Sequence, residues 1–361
     1  MLRRVSMKAP ARMLARKAGG KLIQCTACRR YCRIPEGQAG FCGVRANESG
    51  KLRLVVYGRP CAVNIDPIEK KPLFHFLPGS RSFSIGTFGC NFACSFCQNW
   101  DISQAPQEAR HRDPARWKEY FGRLVERCGE WPPERVVAEA VRSGCKSISF
   151  TYNEPTIFTE YAIDVMKLAR KKGLKGVYVT NGYESPECWR AIRKHIDAAN
   201  IDLKAYNKRF YAELCRVPDF EPIKESIAYA KKLGIWVEVT TLIIPDWNDS
   251  EKELGAEAEF LASVDPEMPW HITAFHPEYK LLDKAPTPPE SLIRAREIGK
   301  MAGIRHVYCG NMPMAYSDYE TTSCPSCAKA LIRRRGYTIE ENGIIDGRCR
   351  FCKAAIRGVW K

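Results

Sequence analysis

The chain has 361 residues, 45% apolar content and a formal net charge of +16. That suits one large globular domain with satellites, or two domains. No apolar run approaches the ~20 residues of a membrane-spanning helix. Seventeen cysteines in a long chain, several in C-x-x-C pairs with no signal peptide before them, favour metal over a secreted disulfide framework. The expected setting is therefore reducing, cytoplasmic and anaerobic.

The charge is concentrated at the ends. Residues 1–33 hold ten Lys/Arg and no acid, and residues 321–361 hold nine Lys/Arg against three acids. Metal-bound thiolates are anionic, so these basic ends offset the charge of cysteine groups near both termini. The alternative is a surface for RNA or an acidic protein. Residues 1–24 are Arg-rich and acid-free, as transit peptides are. A basic, partly frayed terminus is the simpler expectation.

Residues 25–80 open with Cys25, Cys28, Cys32 and Cys42, in C-x2-C-x3-C-x9-C spacing. Pro35, Gly37, Gly40 and Gly43 make this stretch turn-rich. Four thiolates satisfy either tetrahedral zinc or an auxiliary [4Fe–4S] cluster. The need of a small irregular lobe for a staple favours zinc. A strand is expected over 52–57, then a polar turn from Asp66 to Pro72. His75, between Phe74 and Phe76, reads as a satisfied core histidine.

Residues 86–100 read GTFGCNFACSFCQNW and place Cys90, Cys94 and Cys97 in C-x3-C-x2-C spacing, with no further cysteine until Cys128. Three thiolates on one loop can hold three irons of a [4Fe–4S] cubane and leave the fourth open to an outside ligand. No nearby fourth ligand completes a zinc tetrahedron. Phe96, just before the third cysteine, could stack on a nucleobase.

From residue 82 onward, short β-branched runs alternate with amphipathic stretches of helical length. Strands are expected near 82–88, 147–152, 176–180, 199–203, 236–243, 270–275 and 306–309. Helices are expected near 114–127, 133–143, 156–172, 186–195, 222–233, 250–263 and 289–301. Such alternation means parallel strands with right-handed crossovers. Six units suit a partial TIM-like barrel with its site at the C-terminal strand ends. Those ends carry the Cys90 loop, Thr151-Tyr152-Asn153-Glu154, Thr180-Asn181, Asp202-Leu203-Lys204, Asn248-Asp249, and His271 with His276. Residues 311–361 close the chain with Cys324-x2-Cys327 and Cys349-x2-Cys352 around a hairpin-forming segment. This is a zinc-ribbon pattern, and a rubredoxin-like iron site would use the same ligands.

Together these motifs resemble the radical S-adenosylmethionine (SAM) superfamily. The branch is that of the pyruvate formate-lyase activating enzyme, and the subgroup is the radical SAM proteins of the AmmeMemoRadiSam system. The subgroup features are Cys42-Gly43-Val44-Arg45, the segment from Asp66 to Phe76, Tyr152-Asn153-Glu154-Pro155 and the terminal Cys-Pro-x-Cys ribbon. The resemblance implies an α/β fold, a partial (β/α)6 radical SAM barrel. In this division residues 1–24 are a basic segment, 25–80 a Cys-rich metal lobe, 81–310 the core barrel and 311–361 a zinc-ribbon-like unit.

The resemblance further implies that Cys90, Cys94 and Cys97 bind a [4Fe–4S] cluster whose open iron is chelated by SAM. By similarity Asn153 and Glu154 stand at the superfamily's Gly-Gly-Glu motif, whose acid receives the SAM amino group. Thr180 and Asn181 match the segment near the ribose and methionine moieties, Asp202 and Lys204 that near the carboxylate, and His271 a sixth-strand histidine near the cofactor.

The implied activity is reductive cleavage of SAM to a 5′-deoxyadenosyl radical that abstracts hydrogen from a small molecule, protein or RNA. The alternatives are a glycyl-radical-enzyme activase and, of another class, a non-catalytic nucleic-acid-binding iron–sulfur or zinc protein. Implied partners are a ferredoxin or flavodoxin as electron donor, with Memo-like and AMMECR-domain proteins as companions. Tyr152-Asn153 replaces the activases' Gly-Gly, and Val179 replaces their acid before Thr-Asn-Gly.

Overall fold

The computed structural model describes residues 9–361. Its centre is an open eight-stranded sheet. In spatial order the strands are Ala62–Pro67, Arg81–Gly86, Ser147–Phe150, Lys175–Thr180, Ala198–Asp202, Trp236–Ile243, Trp270–Ala274 and Val307–Gly310. The first pairs antiparallel with the second, and all later neighbours are parallel. Spatial order follows chain order, so each crossover returns the chain to the adjacent position. The edge strands Ala62–Pro67 and Val307–Gly310 do not pair with each other. The result is the partial barrel with six crossovers.

The crossover helices bury one apolar face each. In Pro133–Arg142 it is Val136, Val137 and Ala140, and in Glu221–Lys232 it is Ile223, Ile227 and Ala230. Helix Glu251–Val264 starts at Ser250, whose side chain accepts the Glu253 N–H. Strands near the sheet centre are buried on both faces, as parallel sheets require.

The strand Ala62–Pro67 and the helices Trp100–Ser103 and Ala105–Arg112 escape the sequence pattern. Ile65 of that strand is exposed while Asp66 is buried, the reverse of the usual alternation. Asp66 faces inward because Lys71, only 2% exposed, pairs with it at 2.6 Å, so the turn expected to be polar contains a buried ion pair. The expected strand over 52–57 is confined to Lys51–Leu54.

The segment from Ala9 is not frayed. Ala9 and Pro10 pair with Leu54 and Arg53, and Ala15–Lys17 pairs with Ile23–Cys25. Residues 1–8 of the transit-peptide-like stretch lie outside the described residues. Arg16, Lys21 and Arg29 are paired with Glu187, Glu36 and Glu225, so part of the basic charge is neutralised internally. No helix among the described residues is long and apolar enough to cross a membrane.

The C-terminal unit has its own small core of Cys324, Leu331, Ile332, Cys349 and Ile356. Its hairpin pairs Ala330–Arg335 with Thr338–Asn342. Arg334 anchors it on the sheet. This 3%-exposed guanidinium donates to Phe74 O (2.9 Å), Glu320 O (2.9 Å) and Thr322 Oγ1 (2.8 Å). His75 is fully buried: its Nδ1 meets Arg357 O at 2.8 Å and its Nε2 meets the Tyr308 hydroxyl at 2.6 Å. It is the satisfied core histidine expected.

Gly176 is required by close approach. A Cβ there would lie 2.3 Å from His195 O, inside the packed interior, where overpacking costs about 1–3 kcal/mol. Gly176→Ala should lower the unfolding midpoint by several degrees in thermal denaturation. An unchanged midpoint would contradict the close approach.

Candidate active site

The cysteine loop begins where Arg81–Gly86 ends. Asn153, at the end of the neighbouring strand, holds it: its Nδ2 donates to Gly89 O (2.8 Å) and Thr87 Oγ1 (3.2 Å), and its Oδ1 accepts the Thr87 N–H (3.2 Å). Gly89 has φ +94°, and a Cβ there would meet Cys42 O at 2.5 Å. Only glycine lets the N-terminal lobe seat so closely on the loop. On the other side, Ala93 and Ser95 donate their N–H groups to Cys215 O (3.1 Å) and Leu214 O (2.9 Å). Both acceptors lie in one π-helical turn, Tyr211–Cys215, a form that favours functional sites.

A cavity of about 650 Å³ opens over the loop. Its walls include Cys90, Cys94, Phe96 and Cys97 from the loop, and Asn153, Glu154, Thr180, Asn181, Asp202, Lys204 and His271 from successive strand ends. Each of the residues singled out for the cluster and SAM thus faces one space. Phe96 packs edge-on against Phe210, with ring centroids 5.5 Å apart. Asn248 does not line the cavity. It braces a loop, donating to Lys204 O (2.6 Å) and Leu242 O (2.8 Å), and Thr240 and Leu242 line the cavity from that strand instead. From the C-terminal unit, Gly336 and Tyr337, at the hairpin turn, reach the same cavity.

Glu154 is a heavily hydrogen-bonded carboxylate. Its Oε1 accepts the Thr156 N–H (3.0 Å) and hydroxyl (2.6 Å), and its Oε2 accepts the Asn181 N–H (2.8 Å). The Thr180 hydroxyl lies 2.9 Å from Oε1 and 2.6 Å from Glu184 Oε1. One hydroxyl has one proton, so a protonated Glu184 donating to Thr180, which donates on to Glu154, satisfies both contacts. Burial first, and then the charge of Glu154, push Glu184 up to about 8, so it holds that proton at neutral pH. The Thr180 hydroxyl also lies 3.1 Å from Glu154 Oε2, so donors surround both oxygens of this carboxylate.

Asp202 and Lys204 form an ion pair of 2.7 Å inside the cavity rather than on the surface. The Cys215 thiol, hydrogen-bonded to Cys94, and the Lys204 ammonium hold the Cys94 thiol below its ordinary range against the effect of burial. Burial, with Cys94 nearby, pushes Cys97 up to about 11, and burial likewise raises Cys90. A bound cation would reverse these last two shifts. His271 Nε2 lies 2.7 Å from Glu238 Oε2. Glu238 also accepts the backbone N–H groups of Phe74 (2.9 Å) and His75 (2.8 Å), which fixes the imidazole's orientation.

Glu184, Cys215 and Glu238 are site residues that the sequence did not single out. Each acts on a partner distant in sequence, and none carries a spacing signal.

The three loop sulfurs fit a cluster better than a single ion. Among the described residues, the sulfurs that all lie within 4.8 Å of one another are those of Cys324, Cys327, Cys349 and Cys352. Cys90, Cys94 and Cys97 are not gathered so tightly. Their sulfurs also have donors: the Phe92 N–H to Cys90 (3.3 Å) and the Ser103 hydroxyl beside Cys97 (3.1 Å). Hydrogen bonds to thiolate sulfur are one means of tuning a cluster's potential.

The chain is similar to known proteins. The radical SAM superfamily profile matches residues 84–258. An uncharacterised protein of Methanocaldococcus jannaschii is 41% identical over 343 residues, covering 94% of this chain and 96% of its own length. The pyruvate formate-lyase-activating enzyme of Clostridium pasteurianum is 22% identical over 182 residues, 49% of this chain and 67% of its own. The crystal structure of Streptococcus suis SuiB bound to S-adenosylmethionine covers 72% of this chain and 56% of that one, at 14% identity and a TM-score of 0.47.

Glu184 carries a pH signature. Its folded-state value lies above the ordinary 4.5, so between those values the native protein holds a proton that the unfolded chain releases. Stability from this group is therefore present at low pH and lost as pH rises toward about 8. Glu184→Gln should become progressively more stable than the wild type as pH rises from about 5 to about 8.5 in denaturant titrations. Parallel curves would contradict a protonated Glu184.

Proposed function

The chain belongs to the radical SAM superfamily, and from that premise we propose that Cys90, Cys94 and Cys97 hold the cluster and the cavity above them receives SAM and substrate. The protein is a radical SAM enzyme using a [4Fe–4S] cluster and SAM. When bound, the cluster supplies one electron to the SAM sulfonium, and cleavage yields methionine and the 5′-deoxyadenosyl radical that takes hydrogen from substrate.

The chain's own residues bind, orient and shield. Glu154, at the cavity wall, receives the amino group of SAM. Thr180 and Glu184 hold that carboxylate in place from behind. Lys204, steadied by Asp202, balances negative charge beside Cys94 and attracts the SAM carboxylate. Asn153 fixes the loop that carries the three thiolates. The aromatic walls, Phe96 and Phe74, and the overhanging Tyr337 keep water from a reactive intermediate. The observation that carries this reading is the convergence of one three-cysteine loop and polar residues from successive strand ends on one cavity.

The reaction consumes one electron and needs an external reductant, for which a ferredoxin or flavodoxin in the cytoplasm is the proposed source. Residues 25–80, 81–310 and 311–361 are proposed as metal lobe, core barrel and zinc ribbon. The ribbon's sulfurs, with Cys324 and Cys352 3.6 Å apart and Cys327 and Cys349 3.8 Å apart, match the separation of about 3.8 Å that a tetrahedron with Zn–S bonds of about 2.3 Å requires. The motifs of the AmmeMemoRadiSam subgroup support assignment to that system, with Memo-like and AMMECR-domain proteins as companions and a modified small molecule, protein or RNA as product. Similarity to a pyruvate formate-lyase-activating enzyme keeps a second reading, activation of a glycyl-radical enzyme.

Anaerobically reconstituted protein reduced with dithionite should convert SAM to 5′-deoxyadenosine. Cys97→Ala should lower that yield by at least about 100-fold, because a cluster held by two thiolates loses its anchor. A wild-type protein with an assembled cluster that forms no 5′-deoxyadenosine would overturn the reading. An EPR doublet on a partner protein would favour the activase.

A further inference from the structure

The four N-terminal cysteines lie outside the SAM cavity and are left unassigned between two metals by their spacing alone. Their arrangement separates the two. Cys25, Cys28 and Cys42 are buried and Cys32 is partly so, all as free thiols. A zinc ion draws four sulfurs into a tetrahedron with edges of about 3.8 Å, which is how the C-terminal set stands. The N-terminal four are not drawn within 4.8 Å of one another. They surround a cavity of about 10 Å³ instead, room for one water-sized sphere. A tetrahedron closed on a single zinc ion leaves no such room.

The surroundings suit a buried anionic group. Arg45, 2% exposed, donates from Nε to Cys25 Sγ at 3.2 Å and is held by Glu160 through two contacts of 2.7 and 2.8 Å. Arg30 lines the same cavity and donates to Asn91 O. Asn91 also lines it and is the residue after Cys90. Gln107 Nε2 bridges Phe41 O (3.3 Å) and Cys90 O (3.5 Å). The two cysteine groups therefore sit back to back, sharing Asn91.

We propose that Cys25, Cys28, Cys32 and Cys42 hold a second [4Fe–4S] cluster rather than zinc. Four thiolates ligate all four irons, so this cluster has no open iron and does not bind SAM. Its assignment stands apart from SAM cleavage at the first loop, and its test reads metal and spectrum, not turnover.

The experiment is anaerobic isolation of the full chain from medium containing iron and zinc, alongside Cys90→Ala/Cys94→Ala/Cys97→Ala. The triple variant should retain about four irons and about four sulfides per chain and, once reduced, an EPR signal unchanged by added SAM. The wild type should carry about eight irons with about one zinc, and SAM should perturb only part of its signal. A triple variant with no iron and about two zincs overturns the proposal. If the triple variant does not fold, the wild type decides: about four irons with about two zincs overturns the proposal, and about eight irons supports it.

Discussion

The hydrogen bonds from the Asn153 side chain to Thr87 and Gly89 are the constraint on which the rest of the site depends. Three thiolates that bind a cluster repel one another when deprotonated, and a loop left to itself would relax away. Here the loop is tied to the adjacent strand end by one amide, backed by the Tyr211–Cys215 turn and pressed from the far side by the N-terminal lobe at Gly89. The fold supplies the anchors because parallel strands deliver all their C-terminal ends to one rim.

Around that loop the charges are arranged in pairs. Lys204 faces Cys94 with Asp202 beside it in the cavity wall, Glu154 faces the cavity with Glu184 protonated behind it, and His271 is oriented by Glu238. Lys204, Glu154 and His271 each have a partner that fixes their position or their charge. Preorganisation of this kind lets a site meet a charged cofactor without reorganising. The C-terminal unit contributes too: Arg334 locks its hairpin to Phe74 O, and the hairpin turn overhangs the cavity. The four-cysteine group of that unit thus lies in the element that shapes one wall of the cavity.

Much of this was legible in the chain because the chemistry is written in spacing. C-x3-C-x2-C, the four-cysteine N-terminal group and the paired C-x2-C are local patterns, and strands such as Trp236–Ile243 and Lys175–Thr180 announce themselves by β-branched runs. What escaped lies where local pattern and tertiary role diverge. Ala62–Pro67 turns its aspartate inward to Lys71 and its isoleucine outward. Helix Ala105–Arg112 has little apolar stripe and carries Pro106 in its first turn, yet Pro106 is what Gly43 packs against. Asn248 looked like a rim residue but spends its amide on Lys204 O. Glu184 and Cys215 gain their roles only from partners that folding brings to them.

The central claim is that the open face of the Cys90–Cys94–Cys97 cluster binds SAM directly. Electron–nuclear double resonance on the reduced protein with SAM labelled at its amino nitrogen tests it most directly. The account predicts a hyperfine coupling between that nitrogen and the cluster, weakened in Glu154→Gln. A fully assembled, reduced cluster that shows no coupling to labelled SAM would contradict it.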